Sequence, residues 1–200
     1  MAQINTLIPF ILYMECSVPR SYLNKSLDEI FERAKKSGYS NDKDDSGGAT
    51  MCGVTIATYT AYRKKKGYKS TTIADLKAIT FDEWRDIMKT GYWDKWQADD
   101  IQNQSLANIL VDWIWMSGSV AITIPQRILG VKADGVVGPK TLAALNAADP
   151  QQTFNFIKQA RINQAEDAIK AKPAKKKFRK GWYRRFNSIT FEGLRYDLDA

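Results

Sequence analysis

The sequence predicts a mainly α fold with at most a small β-hairpin, and three observations carry that expectation. Apolar residues recur at i, i+3, i+4 and i+7 in one segment after another, which is the spacing of a single helix face. Ser26 with Glu29 and Thr80 with Glu83 form capping-box patterns, each just ahead of an apolar run. Residues 39–53 are polar and glycine-rich, so they suit a tight loop or hairpin better than a helix.

Taken in order, Ile4, Leu7, Ile8, Ile11 and Leu12 line one face of a first helix, and Glu15 continues that stripe. Residues 16–25, with Pro19 and Asn24, read as a loop. Leu27, Ile30, Phe31 and Ala34 make one face of a short second helix, which Gly38 stops. The next helix runs from about Val54 to Lys66 and ends at Gly67. Thr80 opens a helix carrying Trp84, Ile87 and Met88, and Tyr92, Trp93 and Trp96 cluster beyond it. Leu106 to Met116 is rich in Trp and Leu but broken by Asn108 and Asp112, so it reads as a buried core helix. No window reaches the roughly 18 apolar residues of a membrane span. Residues 120–129 carry another helix, Asp134-Gly135 is a turn, and Gly138-Pro139 puts proline at a helix start. Helices follow at 139–146 and 150–170. Lys172 to Arg185 then holds eight Lys or Arg residues, with Phe178, Trp182 and Tyr183 between them.

Composition narrows the chemistry. A 200-residue chain that is 44% hydrophobic can bury a core without disulfide or metal staples. It has no histidine, which excludes His-dependent triads and His-ligated metals, and its two cysteines are too few for a Cys-only zinc site. No metal and no cofactor is expected, and carboxylate chemistry gains weight. The net charge of +8 favours polyanionic partners, although a merely solvated basic surface explains it equally well. Leu7 to Met14 is too short for a signal peptide and lacks a basic lead and a cleavage site. The expectation is synthesis in the cytoplasm without a cleaved signal, so that any export takes another route.

The chemically dense stretch is Asn41 to Thr50, followed by Gly53-Val54-Thr55. A carboxyl on the apolar stripe of a helix keeps its proton more readily than one in water, which suits Glu15 to a general acid. The bland alternative is that the helix frays at Met14 and leaves Glu15 in solvent. Among Asp42, Asp44 and Asp45, one carboxylate could activate water, or all three could simply hold a polar turn. Thr50 could position that water or merely begin a strand.

These residues carry a resemblance. Glu15, Gly38-Tyr39, Asn41-Asp42, Asp45, Gly47-Gly48, Thr50 and Gly53-Val54-Thr55 resemble the N-terminal motif of glycoside hydrolase family 108. Those enzymes are N-acetylmuramidases found among phage endolysins and bacterial secretion activator proteins. Ile124 to Leu142, with its Asp134-Gly135-Val136-Val137-Gly138-Pro139 core, resembles the predicted peptidoglycan domain that accompanies it. The resemblance implies a lysozyme-like helical domain over 1–118, and a helical peptidoglycan-domain-like region over 119–200 packed on it. It implies cleavage between N-acetylmuramic acid and N-acetylglucosamine, with Glu15 as acid, Asp45 as water-activating base or electrostatic partner, and Thr50 as water positioner. Tyr39, Asn41, Asp42, Trp93, Lys132 and Asp134 are the expected substrate-binding residues. Lys132 to Pro139 reads equally well as a purely structural turn.

The family's acid sits directly before its Gly-Gly-Tyr, where this sequence has Lys36, which cannot serve. An insertion of about 22 residues, at about 16–37, restores the expected order, and Glu32 is the fallback acid. The insertion also keeps a second reading open, a non-catalytic peptidoglycan-binding or secretion-accessory protein. A third, nucleic-acid binding through the basic run, is not expected. Cys16 and Cys52 read either as free thiols or as a bridge formed after export. The partner implied is the peptidoglycan glycan strand, with action on the cell wall or in the periplasm after export or lysis; the oligomeric state is not legible.

Overall fold

In the computed structural model, which describes residues 1–41 and 48–197, ten α-helices dominate, joined by five short 3-10 or π-helical segments and five two-residue strands. The fold is thus mainly α, as the periodicity predicts, and consistent with the lysozyme-like fold that the resemblance implies. The chain gathers into two compact units, one of residues 5–91 and one of residues 1–4 with the chain from Tyr92 onward.

The first unit holds α1 (Ile4–Cys16, its first residue excepted), α2 (Leu27–Lys35), α3 (Ile56–Lys65), α4 (Ile73–Lys77) and α5 (Phe81–Met88). Leu7, Ile8, Ile11 and Leu12 of α1 are all fully buried, as the stripe requires. The helix continues through Glu15 to Cys16, so Glu15 is helical rather than frayed. Both sequence-predicted capping boxes form. Ser26 N–H donates to Glu29 Oε2 at 3.0 Å while Ser26 Oγ accepts from Glu29 N–H at 3.3 Å, and Thr80 pairs with Glu83 in the same way. Such a cap contributes about 1 kcal/mol. A third box, Thr72 with Asp75, opens α4, which is too short to show a periodic stripe. Phe31 of α2 packs against Phe81 and Trp84, with ring centroids 5.5 and 5.8 Å away.

Between α2 and α3 lies a three-stranded antiparallel sheet, ordered β1 (Tyr39–Ser40), β2 (Thr50–Met51), β3 (Val54–Thr55). Ser40 faces Thr50 and Met51 faces Val54. The β2–β3 link is the two-residue turn Cys52-Gly53, with φ of 47° and 79°. Positive φ at both central positions is the hairpin turn whose twist matches the flanking strands. Glycine suits it; cysteine is an unusual choice.

The second unit is built on α6 (Gln104–Ser117), which packs against α7 (Val120–Ile128) and α9 (Pro150–Ala171). Every residue of α6 from Ser105 to Ile114 is buried, including Asp112. That carboxylate accepts from Arg161 of α9 at 2.5 Å and from Arg185 of α10 (Arg179–Ser188) at 2.7 Å. Proline starts both α8 (Pro139–Ala147) and α9. A second hairpin, β4 (Ile189–Thr190) with β5 (Gly193–Leu194), lies outside the one region where the sequence predicts pairing. No helix among the described residues is long and apolar enough to cross a membrane.

Candidate active site

The first candidate residues meet where α1 ends. Ser37 Oγ donates to the Cys16 carbonyl at 2.8 Å, so the chain that leaves α1 at Cys16 returns to the same point before β1. A Cβ added to Gly38 would stand 2.6 Å from Cys52 Sγ and 3.0 Å from Cys16 Sγ. Only glycine fits so close an approach. Cys52 N–H donates to the Gly38 carbonyl at 2.8 Å, and the Trp84 indole N–H donates to the Cys52 carbonyl at 2.9 Å. The end of α1, the start of β1 and the β2–β3 turn are therefore fixed to one another. Glu15 is half-buried one residue before this junction.

Thr50 is half-buried on β2, the middle strand, and its Oγ1 donates to the Gly48 carbonyl at 3.1 Å. With its proton used, the hydroxyl keeps lone pairs that can accept from a water. Asp42 and Asp45 lie outside the described residues. Asn41 is exposed, and Tyr39 has the Lys77 ammonium 4.0 Å over its ring, leaving one ring face for other contacts. Glu32, the fallback acid, is exposed on α2 and ion-pairs with Lys35 at 3.6 Å. Lys36 is also exposed.

Trp93 has to be corrected as a substrate-binding residue. It is fully buried and its indole N–H donates to Asp99 at 2.7 Å, so no ring face is open. Trp96 and Trp113 are likewise fully buried. Trp115 remains half-exposed and packs on half-exposed Tyr92, ring centroids 4.6 Å apart.

Lys132 and Asp134 border a depression of about 690 Å³, together with Val131, Val136, Pro139 and Lys140. They pair with each other at 3.7 Å. Asp134 accepts from Val136 N–H at 3.0 Å and from Gln126 at 3.1 Å, and these bonds hold its carboxyl below the usual carboxylate range. Gln126 is fully buried on α7 and organises the loop. Its amide nitrogen also donates to the Val136 carbonyl at 3.0 Å, and its oxygen accepts from Gly135 N–H at 2.9 Å. Gln97 donates to the Val137 carbonyl from the other side. Sequence reading missed both glutamines, because nothing local marks a glutamine that closes a loop elsewhere. No cluster of three or more potential metal ligands exists among the described residues.

A carboxyl-bearing helix end locked to a small antiparallel sheet is consistent with the lysozyme-like glycoside hydrolase scaffold that the sequence resembles, and comparison with known proteins gives the family. Residues 30–118 match the family model Glycosyl hydrolase 108, and residues 120–187 match Predicted Peptidoglycan domain. The solved structure of Brucella abortus SagA aligns over 76% of this chain and 82% of its own length, at 32% identity and a TM-score of 0.64. No curated protein matches the chain. The chain belongs to glycosyl hydrolase family 108. It is a member of a peptidoglycan hydrolase family, and its polymer partner is peptidoglycan of the cell wall.

Proposed function

We propose that the protein is an N-acetylmuramidase that cuts the glycan strand between N-acetylmuramic acid and N-acetylglucosamine. Glu15 protonates the glycosidic oxygen, Asp45 removes a proton from the attacking water, and Thr50 accepts a hydrogen bond from that water. The water attacks the anomeric carbon from the face opposite the leaving group, so configuration inverts. That geometry needs roughly 6.5–9.5 Å between the two carboxyl groups. No cofactor takes part. Residues 1–118 supply the cleavage chemistry and residues 119–200 hold the wall. Tyr39, Asn41 and Asp42 contact sugar beside the sheet. Lys132 and Asp134 offer opposite charges to the peptide stems, and the half-exposed Tyr92–Trp115 pair takes the substrate-binding role first expected of Trp93.

The observation that carries this reading is the closure of Cys16 on Ser37 and Gly38. Residues 17–36 form an excursion that leaves and returns at one point, which supports an insertion just after the acid. Glu15 then stands before a Gly-Tyr pair in space, as the family's acid does in sequence. A second reading also has its own support: the family match begins at residue 30, past Glu15, and Lys36 fills the family's acid position. On that reading the scaffold binds the wall without cutting it.

A turbidity assay on purified peptidoglycan separates the two. Glu15→Gln should abolish lysis, with the far-UV spectrum and melting temperature unchanged, and Glu32→Gln should lyse like the parent. Full activity in Glu15→Gln would remove Glu15 from the chemistry, and an inactive parent would favour the binding protein.

A further inference from the structure

Cys16 and Cys52 are both buried, 2% and 0% exposed, and neither has a part in the proposed hydrolysis. They are 36 positions apart in sequence, yet both sulfurs crowd the same face of Gly38. A Cβ placed there would meet them at 2.6 and 3.0 Å, so the sulfurs are separated by no more than the sum of these distances. The two thiols hydrogen-bond with each other. Cys52 also holds a left-handed backbone, φ 47°, at a turn position that suits Gly, Asn or Asp. A side chain kept in a disfavoured conformation, facing a second thiol, calls for a role other than filling space.

We propose that Cys16 and Cys52 are a disulfide-forming pair, closed by thiol–disulfide exchange in an oxidising compartment, whose bond ties the end of α1 to the β2–β3 turn. The oxidant is a small-molecule or protein disulfide. One cysteine, as thiolate, attacks a sulfur of that disulfide and releases its first thiolate, leaving a mixed disulfide. The other cysteine loses its proton, attacks the protein sulfur and expels the second thiolate. The protein loses two protons and two electrons, and the oxidant becomes two thiols. The hydrogen bond to Cys52 and burial push the Cys16 thiol well above the ordinary thiol range, so its thiolate is scarce in the folded protein. Closure therefore accompanies folding or local opening, while a chain folded in a reducing cytoplasm keeps both thiols. This inference does not depend on the hydrolytic reading.

The test uses the full chain, unfolded under reducing conditions and refolded in glutathione buffers from fully reduced to strongly oxidised. Free thiols are alkylated and the protein is digested for mass spectrometry. The expected product is one intramolecular linkage joining the Cys16 and Cys52 peptides. The oxidised protein should melt roughly 10 °C above the reduced one, the order expected for a loop of this length. Cys16→Ser should show no such difference between buffers. Complete alkylation of both cysteines after oxidative refolding would overturn the proposal. So would end products that are only glutathione adducts or disulfide-linked dimers, a closed form that melts lower than the reduced form, or the same melting shift in Cys16→Ser.

Discussion

Asp112 sits inside α6 with no exposure, between two arginines from other helices. Burial by itself would push its carboxyl up. The charges of Arg185 and Arg161 outweigh that and hold it below the usual carboxylate range. A carboxylate whose folded pKa is depressed contributes stability that is fully present above the unfolded value, about 3.9, and lost as pH falls through the folded one. Asp112→Asn should thus cost about 3–5 kcal/mol at neutral pH, because two buried guanidinium groups lose their counter-charge. Its deficit against the parent in denaturant melts should shrink below about pH 4, where Asp112 of the unfolded parent takes up a proton that the folded carboxylate still refuses. A deficit that stays constant down to pH 2 would mean that packing, not charge, makes Asp112 matter. The sequence shows Asp112 only as a polar break in an apolar helix. Its partners are 49 and 73 residues away, and no local pattern announces them. Trp93 misleads for the same reason: an aromatic residue at helical spacing is core or groove depending on what covers it, and that is decided by tertiary packing. The helical position of Glu15 is legible because its own helix carries the stripe it extends.

The helices with an apolar run, α1, α2, α5 and α6, are readable from sequence because that signal is local, and α2 and α5 add a capping box. α4 has five residues and no room for a stripe. α10 is hidden because its buried side includes Arg185, which is inside only because Asp112 is there to receive it. The β4–β5 pair contributes two residues per strand, too few for alternation to show. On the site side, the glycine-rich motif fixes where the sheet forms, but the return of residue 37 to residue 16 depends on one hydroxyl–carbonyl bond and a glycine contact. The Asp134-to-Thr141 loop depends in the same way on Gln126. Gln126→Leu keeps much of the volume but strands the Gly135 N–H and the Val136 carbonyl. It should destabilise the fold by about 2–4 kcal/mol, and raise hydrogen exchange at residues 134–138 more than in α9. Exchange rising evenly across the unit would instead mark Gln126 as general core.

Across the whole molecule, a net charge of +8 has to be divided between charges that hold the fold and charges that face solvent. In the basic run 172–185, Arg185 is buried against Asp112 and Arg179 pairs with Glu166 at 2.8 Å. Lys176, Lys177 and Lys180 are exposed, and beside them Phe178 is half exposed and stacks on Trp182. The wall polymer carries peptide carboxylates, so the role expected of these lysines is attraction through solvent, which salt screens over about 10 Å at 0.1 M. Replacing Lys176, Lys177 and Lys180 with Gln should weaken sedimentation with purified peptidoglycan roughly tenfold at low salt. The deficit should disappear near 0.5 M salt, where the Debye length falls to a few ångströms, about one contact distance. Turnover of a short soluble glycan oligosaccharide should be unchanged in the triple variant, because the proposed cleavage site is at the α1 end and the sheet. Thermal melting should be unchanged as well, since none of the three lysines is buried. A loss of oligosaccharide turnover equal to the loss of wall binding would put these lysines in the cleavage site. A binding deficit that persists at high salt would mean that contact, rather than long-range charge, holds the protein to the wall.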